Sequence, residues 1–234
     1  MGRIRNTFFI LCFVSEVFAQ KQLINQRSPL LWTRYHATLQ FSKKILWVSE
    51  FDNRIFTSNL NQHQFISHHH LHYRFNDNLE SSVGITYSFI NFREPDSQTG
   101  LVTPEIRPFQ EFYVRQNLTK GWRIQHRFRN EQRFFRNTNG KELLDGYTYN
   151  GRARYQVAVG YKFAPKWELR ANDELFINHG KNITFNTFDH NRTYGGIAFQ
   201  PKPSLTAELG YIKSIQQRSN GYEFVERNHI RFSL

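Results

Sequence analysis

The run Tyr149-Asn150-Gly151-Arg152-Ala153-Arg154-Tyr155-Gln156-Val157-Ala158-Val159-Gly160-Tyr161-Lys162-Phe163 decides the fold class. Tyr149, Gly151, Ala153, Tyr155, Val157, Val159, Tyr161 and Phe163 share one face, while Arg152, Arg154, Gln156 and Lys162 share the other. A period of two places successive side chains on opposite sides of an extended chain, so this is a strand whose faces meet different surroundings. It is longer than most strands of a soluble sandwich.

The same alternation recurs on both sides of it. Leu31, Thr33, Tyr35, Ala37, Leu39 and Phe41 oppose Trp32, Arg34, His36, Thr38 and Gln40, and Leu79, Ser81, Val83, Ile85, Tyr87 and Phe89 repeat the pattern. Eleven strands are expected, near 31–41, 45–55, 63–75, 79–91, 106–118, 122–135, 149–163, 166–178, 188–200, 204–215 and 222–234. Short turns at 42–44, 76–78, 119–121, 164–165 and 201–203 alternate with longer polar loops near 56–62, 92–105, 136–148, 179–187 and 216–221. Short–long alternation marks a transmembrane barrel with tight periplasmic turns and longer outer loops. The expectation is an all-β chain forming a single antiparallel transmembrane β-barrel. An even ring requires either a further upward strand near 21–28, giving twelve, or exclusion of 31–41, giving ten; the good alternation of 31–41 favours twelve. No later stretch approaches the ~20 apolar residues of a membrane helix.

Residues 1–19 read as a cleaved signal peptide, and 20–234 as the barrel. Arg3 and Arg5 precede the apolar run Phe8-Phe9-Ile10-Leu11-Cys12-Phe13-Val14, and Val17-Phe18-Ala19 offers a cleavage site before Gln20. The single cysteine, Cys12, lies within it, which excludes a disulfide-stapled module. A net charge of +12 raises the question of nucleic acid, but the basic residues alternate with apolar ones and form no arm, so no nucleic-acid partner is expected. Trp47, Trp122 and Trp167 each follow a short lysine-bearing turn, the placement of an interfacial aromatic girdle. The closing Ile230-Arg231-Phe232-Ser233-Leu234 resembles the signal read by the barrel-assembly machinery, with Leu234 where Phe is usual. Outer-membrane lipid and lipopolysaccharide, and a small solute, are the other partners expected, at a Gram-negative outer membrane.

Several blocks occur in order: Arg127-Phe128-Arg129-Asn130-Glu131-Gln132-Arg133-Phe134, Asn172-Asp173-Glu174-Leu175-Phe176, the run from Phe188 to Gly196, Glu208-Leu209-Gly210-Tyr211, and Asn228-His229. Together they resemble the bacterial family named domain of unknown function 2490, from about Trp32 to Leu234. The resemblance implies an outer-membrane barrel and implies no activity.

If the apolar faces meet lipid, the opposite faces line a lumen. Arg127, Arg129, Glu131, Arg133, Arg152, Arg154, Glu168, Arg170, Glu174, Arg192 and Glu208 form the expected lumen-lining cluster. Arginine and glutamate on neighbouring strands can pair and close the barrel, while surplus arginine would favour the passage of small anions. A closed barrel that binds a ligand or lipopolysaccharide is the alternative. His68, His70 and His72 alternate on one face with His69 opposite, but no carboxylate lies beside them in sequence, so no metal or other cofactor is expected. A lipid-modifying enzyme is the remaining class. Ser81, Ser82, Ser88, His126, His179, His190 and His229 are scattered and form no recognisable catalytic context, so no catalytic residue is expected.

Overall fold

The computed structural model describes residues 23–91, 93–96, 100–118 and 120–234; the expected signal peptide and Thr119 lie outside these, as do four positions of the 92–105 loop. Twelve strands are formed: β1 (Leu23–Gln26), β2 (Leu30–Gln40), β3 (Ile45–Phe56), β4 (Gln62–Arg74), β5 (Leu79–Ile90), β6 (Thr103–Asn117), β7 (Trp122–Thr138), β8 (Leu143–Ala164), β9 (Trp167–His179), β10 (Phe188–Lys202), β11 (Leu205–Gln217) and β12 (Glu223–Ser233). From β2 to β12 each strand pairs antiparallel with the next, and β12 pairs back with β2. The fold is a closed all-β barrel.

Closure differs from the even ring inferred from parity. β2 and β12 run parallel, with Leu30 opposite His229 and Arg34 opposite Ser233. β1 also runs parallel to β12, with Leu23 opposite Glu223 and Gln26 opposite Glu226. The strand expected near 21–28 is therefore present, but it is no upward stave: it lies in line with β2 along the same neighbour. Residues 27–29 carry one more residue than the facing segment of β12 and form the break, where Pro29 has no N–H to give to a ladder. The ring thus has eleven staves plus β1, and an odd number of alternating strands must meet once in parallel. Leu234 completes the seam, donating its N–H to Arg34 O at 2.9 Å and accepting from His36 N at 2.8 Å.

Polar side chains tie several turns. Asn76 Oδ1 accepts from the N–H groups of Asn78 and Leu79, Ser42 Oγ from Lys44 and Ile45, and Asn220 Oδ1 from Tyr222 and Glu223. Between β7 and β8 the expected 136–148 loop shrinks to residues 139–142, because both strands continue to pair beyond the belt of the ring. Both faces of that extension are exposed and mix apolar residues such as Leu143, Leu144 and Tyr147 with polar ones, so its alternation is lost from sequence while its backbone ladder remains.

Exposure is inverted relative to a soluble protein. Outward residues such as Leu39, Phe128, Leu209 and Tyr211 are about half exposed or more, whereas Asp52, Glu131 and Glu174 inside the ring are buried. Such a surface fits a hydrocarbon solvent, where only a closed sheet leaves no backbone group unpaired.

The parallel seam is directly testable. Thr33→Cys and Phe232→Cys, directly opposed across it, should form a disulfide on oxidation in a Cys12→Ser background. Intramolecular cross-linking read by gel mobility and mass spectrometry checks this, and a chain that stays reduced while folded would contradict the seam.

Candidate functional site

The inward faces of β6 to β12 hold networks of arginines and carboxylates, one around Glu111, Glu131 and Glu174 and another around Glu168 and Glu208. Across β7 and β8, Glu131 stands opposite Arg152 and Arg129 opposite Arg154. Arg152 Nε donates to Glu131 Oε2 at 2.7 Å, Arg154 Nη1 to Oε1 at 2.7 Å, and Arg129 Nε lies 2.9 Å from Oε1. Glu174 on β9 accepts from Arg127 Nη2 at 2.6 Å and from Arg154 Nη2 at 2.6 Å. The pleat explains this: residues two apart on one strand share a face, and long side chains reach diagonally to the next. Nearer the short turns, Glu168 accepts from Arg123 and Arg170, while Glu208 accepts from Arg170, Arg231 and the Tyr194 hydroxyl. Arg133 is drawn to Glu105, which also binds Arg107 through two hydrogen bonds of 2.6 Å each.

Arg192 stands apart from this block. Its guanidinium lies 5.3 Å from the Trp32 ring and 5.0 Å from the Phe176 ring, and its only ion pair among the described residues is at 3.9 Å to Glu174. Arg54 also lies over Trp32, 3.8 Å from its ring, donates to the neutral amide oxygen of Gln64 and has Asp52 at 3.9 Å. Nε of each is buried without a hydrogen-bond partner. Trp32 and Phe176, each 1% exposed, are thus aromatic platforms within the lumen. The family profile for proteins of unknown function (DUF2490) matches residues 30–225.

The chain belongs to this family. Among solved structures, that of the NanC porin in a rhombohedral crystal form is similar in fold, with a TM-score of 0.51 and 12% identity. The match covers 85% of this chain and 93% of that one. No curated protein matches. This member of the family therefore has a porin-like β-barrel fold.

The enclosed cavity has a volume of about 1650 Å³. Gln40, Pro203 and Leu234 line it at the short-turn end, and Asn186, Arg218 and Glu94 at the long-loop end. Among the described residues, sixteen arginines line it against seven carboxylates. Glu131 is buried behind that lining, and Glu168 faces a smaller pocket beside the short turns with Gly121 and Lys166. Trp47, Trp122 and Trp167 all lie on the outer face beside short turns. Trp122 stacks on Tyr161 and Trp167 packs on Phe199, with centroids 4.5 Å apart in each pair.

Sequence reasoning left out Arg54, Asp52, Glu105 and Glu111. Glu105 was lost because the strand was begun at 106, although Glu105, Arg107 and Glu111 keep one phase. Ser214 Oγ and His229 Nε2 come within 3.0 Å, but Nδ1 of His229 is buried without a hydrogen-bond partner.

Removing a shared carboxylate strands several cations at once. Glu131→Gln should destabilise the barrel by about 3–5 kcal/mol, the range for breaking a buried pair. Glu168→Gln should cost about 1 kcal/mol or less, because its partner Arg123 is half exposed. Urea unfolding followed by tryptophan fluorescence compares the two.

Proposed function

We propose that this protein is a channel of the Gram-negative outer membrane for small anionic solutes. The observation that carries this reading is the cavity lined from one rim to the other by arginines in excess of carboxylates, with Arg54 and Arg192 lacking a carboxylate hydrogen bond. A ring of guanidinium groups lowers the energy of an anion entering a narrow polar lumen and raises that of a cation. Paired arginines hold the wall, whereas Arg54 and Arg192 keep donors for a passing carboxylate or phosphate. The apolar outer face supports burial in lipid, and Trp47, Trp122 and Trp167 support a girdle at the inner interface, in contact with lipid headgroups. The run from Ile230 to Leu234, built into β12 and the seam, supports recognition by the barrel-assembly machinery. The outer loops are the surface for lipopolysaccharide.

A second reading, a closed barrel stapled by its own charges, draws on the sharing of Glu131, Glu174 and Glu208 among two or three arginines each. Planar-bilayer recording across a salt gradient separates the two. The channel reading expects discrete steps with a reversal potential on the anion side, and loss of about half or more of that preference in Arg54→Gln/Arg192→Gln. Folded protein that gives no steps, or prefers cations, overturns it and leaves the stapled barrel.

A further inference from the structure

On the side of the ring away from Arg192, β4, β5 and β6 bring three potential metal ligands together. His72 on β4 stands opposite Ser82 on β5, and Ser82 opposite Glu111 on β6; the neighbouring row is His70, Gly84, Phe109. The middle strand therefore offers only a hydroxymethyl group and a hydrogen at the inward positions between the outer two. A Cβ at Gly84 would lie 2.5 Å from the Phe109 ring and 2.6 Å from His70 Cβ. Side chains from β4 and β6 meet over β5 because β5 leaves the space.

We propose that His70, His72 and Glu111 form a binding site for a divalent transition-metal ion of the zinc class, set in the barrel wall. His72 Nε2 lies 2.8 Å from His70 Nδ1, and His70 Nδ1 lies 3.5 Å from Glu111 Oε2. All three ligand atoms fall within 4.8 Å of one another, and all three residues are buried. Two imidazoles and a carboxylate are a zinc-type donor set, with a fourth position left for water or solute. The two nitrogens need to part by about half an ångström to accept an ion at ~2.0–2.1 Å from each.

What stands behind the ligands supports the assignment. Glu80 Oε1 lies 2.7 Å from His72 Nδ1 and accepts a hydrogen bond from Nδ1–H, which leaves the Nε2 lone pair for the site. Arg74 and Arg115 in turn hold Glu80. Such a carboxylate–histidine arrangement orients metal ligands and raises their basicity. Glu111 is fixed by the Ser82 and Tyr113 hydroxyls on Oε2 and by Arg129 on Oε1.

His70 supplies an independent observation. Without an ion, its Nδ1 proton must bridge to His72 Nε2, which leaves His70 Nε2 as a bare lone pair; that atom is buried without a hydrogen-bond partner. With an ion on Nδ1, the proton moves to Nε2 and points at Glu50 Oε1, 4.0 Å away. The bound form thus turns a donor toward a carboxylate, at ion-pair rather than hydrogen-bond distance, where the empty form leaves a bare lone pair. Glu50, Glu80 and Glu111 surround the pair of imidazoles, and each is itself paired with arginine: Glu50 with Arg34, Glu80 with Arg74 and Arg115, and Glu111 with Arg127 and Arg129. Bound there, the ion would tie β4 to β6 across β5.

The test uses full-length, untagged, refolded protein dialysed against zinc chloride, with bound metal measured by mass spectrometry. One zinc per chain is expected. Loss is expected in His72→Gln and Glu111→Gln, retention in His126→Gln, and weakening by about ten- to a hundredfold in Glu80→Gln. Folding of each variant is checked by its β-sheet circular dichroism. Cobalt(II) added to the unmutated protein supplies a readout that needs no variant: intense visible bands of a four-coordinate ion are expected. Folded protein that retains no zinc and gives no such bands overturns the site, as does zinc held equally by His72→Gln.

Discussion

The seam between β2 and β12 is the constraint on which the rest of this structure depends. A sheet of ten antiparallel pairings has two raw edges, and in an apolar surrounding each unpaired N–H and C=O costs several kcal/mol. Pairing residues 30–34 with 229–233 joins the two edges and closes the ring. Only a closed ring has an inside, so the seam also makes the lumen and its contents possible. The strands meet in parallel because eleven is odd, and β1 extends the seam along the outer part of β12.

Inside the ring a second constraint operates. Ionised groups taken out of water need partners, and carboxylates are fewer than arginines. The wall resolves this by sharing: Glu131 serves Arg129, Arg152 and Arg154, and Glu174 serves Arg127 and Arg154. Guanidinium groups suit such sharing because their five donors spread over a flat fork. Where carboxylates run out, the aromatic faces of Trp32 and Phe176 take their place beneath Arg54 and Arg192. Arg192 on β10 and the histidine-rich wall of β4 lie on opposite sides of the lumen, whereas Arg54 on β3 stands beside β4, opposite Gln64.

Much of the barrel was legible in the chain. Alternation in 149–163 and its relatives assigned both the strands and their inward faces, because a period of two is a local property that survives without tertiary contacts. The inward phase of Arg127, Arg129, Glu131, Arg152, Arg154 and Glu174 followed from the same rule. Alternation failed where both faces mix polar and apolar residues, in the extension of β7 and β8, and at the start of a strand, as at Glu105. Parity failed because it presupposes that every neighbour is antiparallel, and sequence carries no mark of a parallel seam.

The sequence by itself determined the extended, two-faced strands, the order of the hairpins and an interior rich in arginine. Tertiary structure alone decided the number of staves, which arginines find a carboxylate, and the meeting of His70 and His72 with Glu111. The physical reason is range. Strand and turn preferences are set by a residue and its near neighbours, whereas register around a closed ring is a property of all eleven staves together. Glu111 lies far along the chain from His72, and only the register through Ser82 brings the two to the same row.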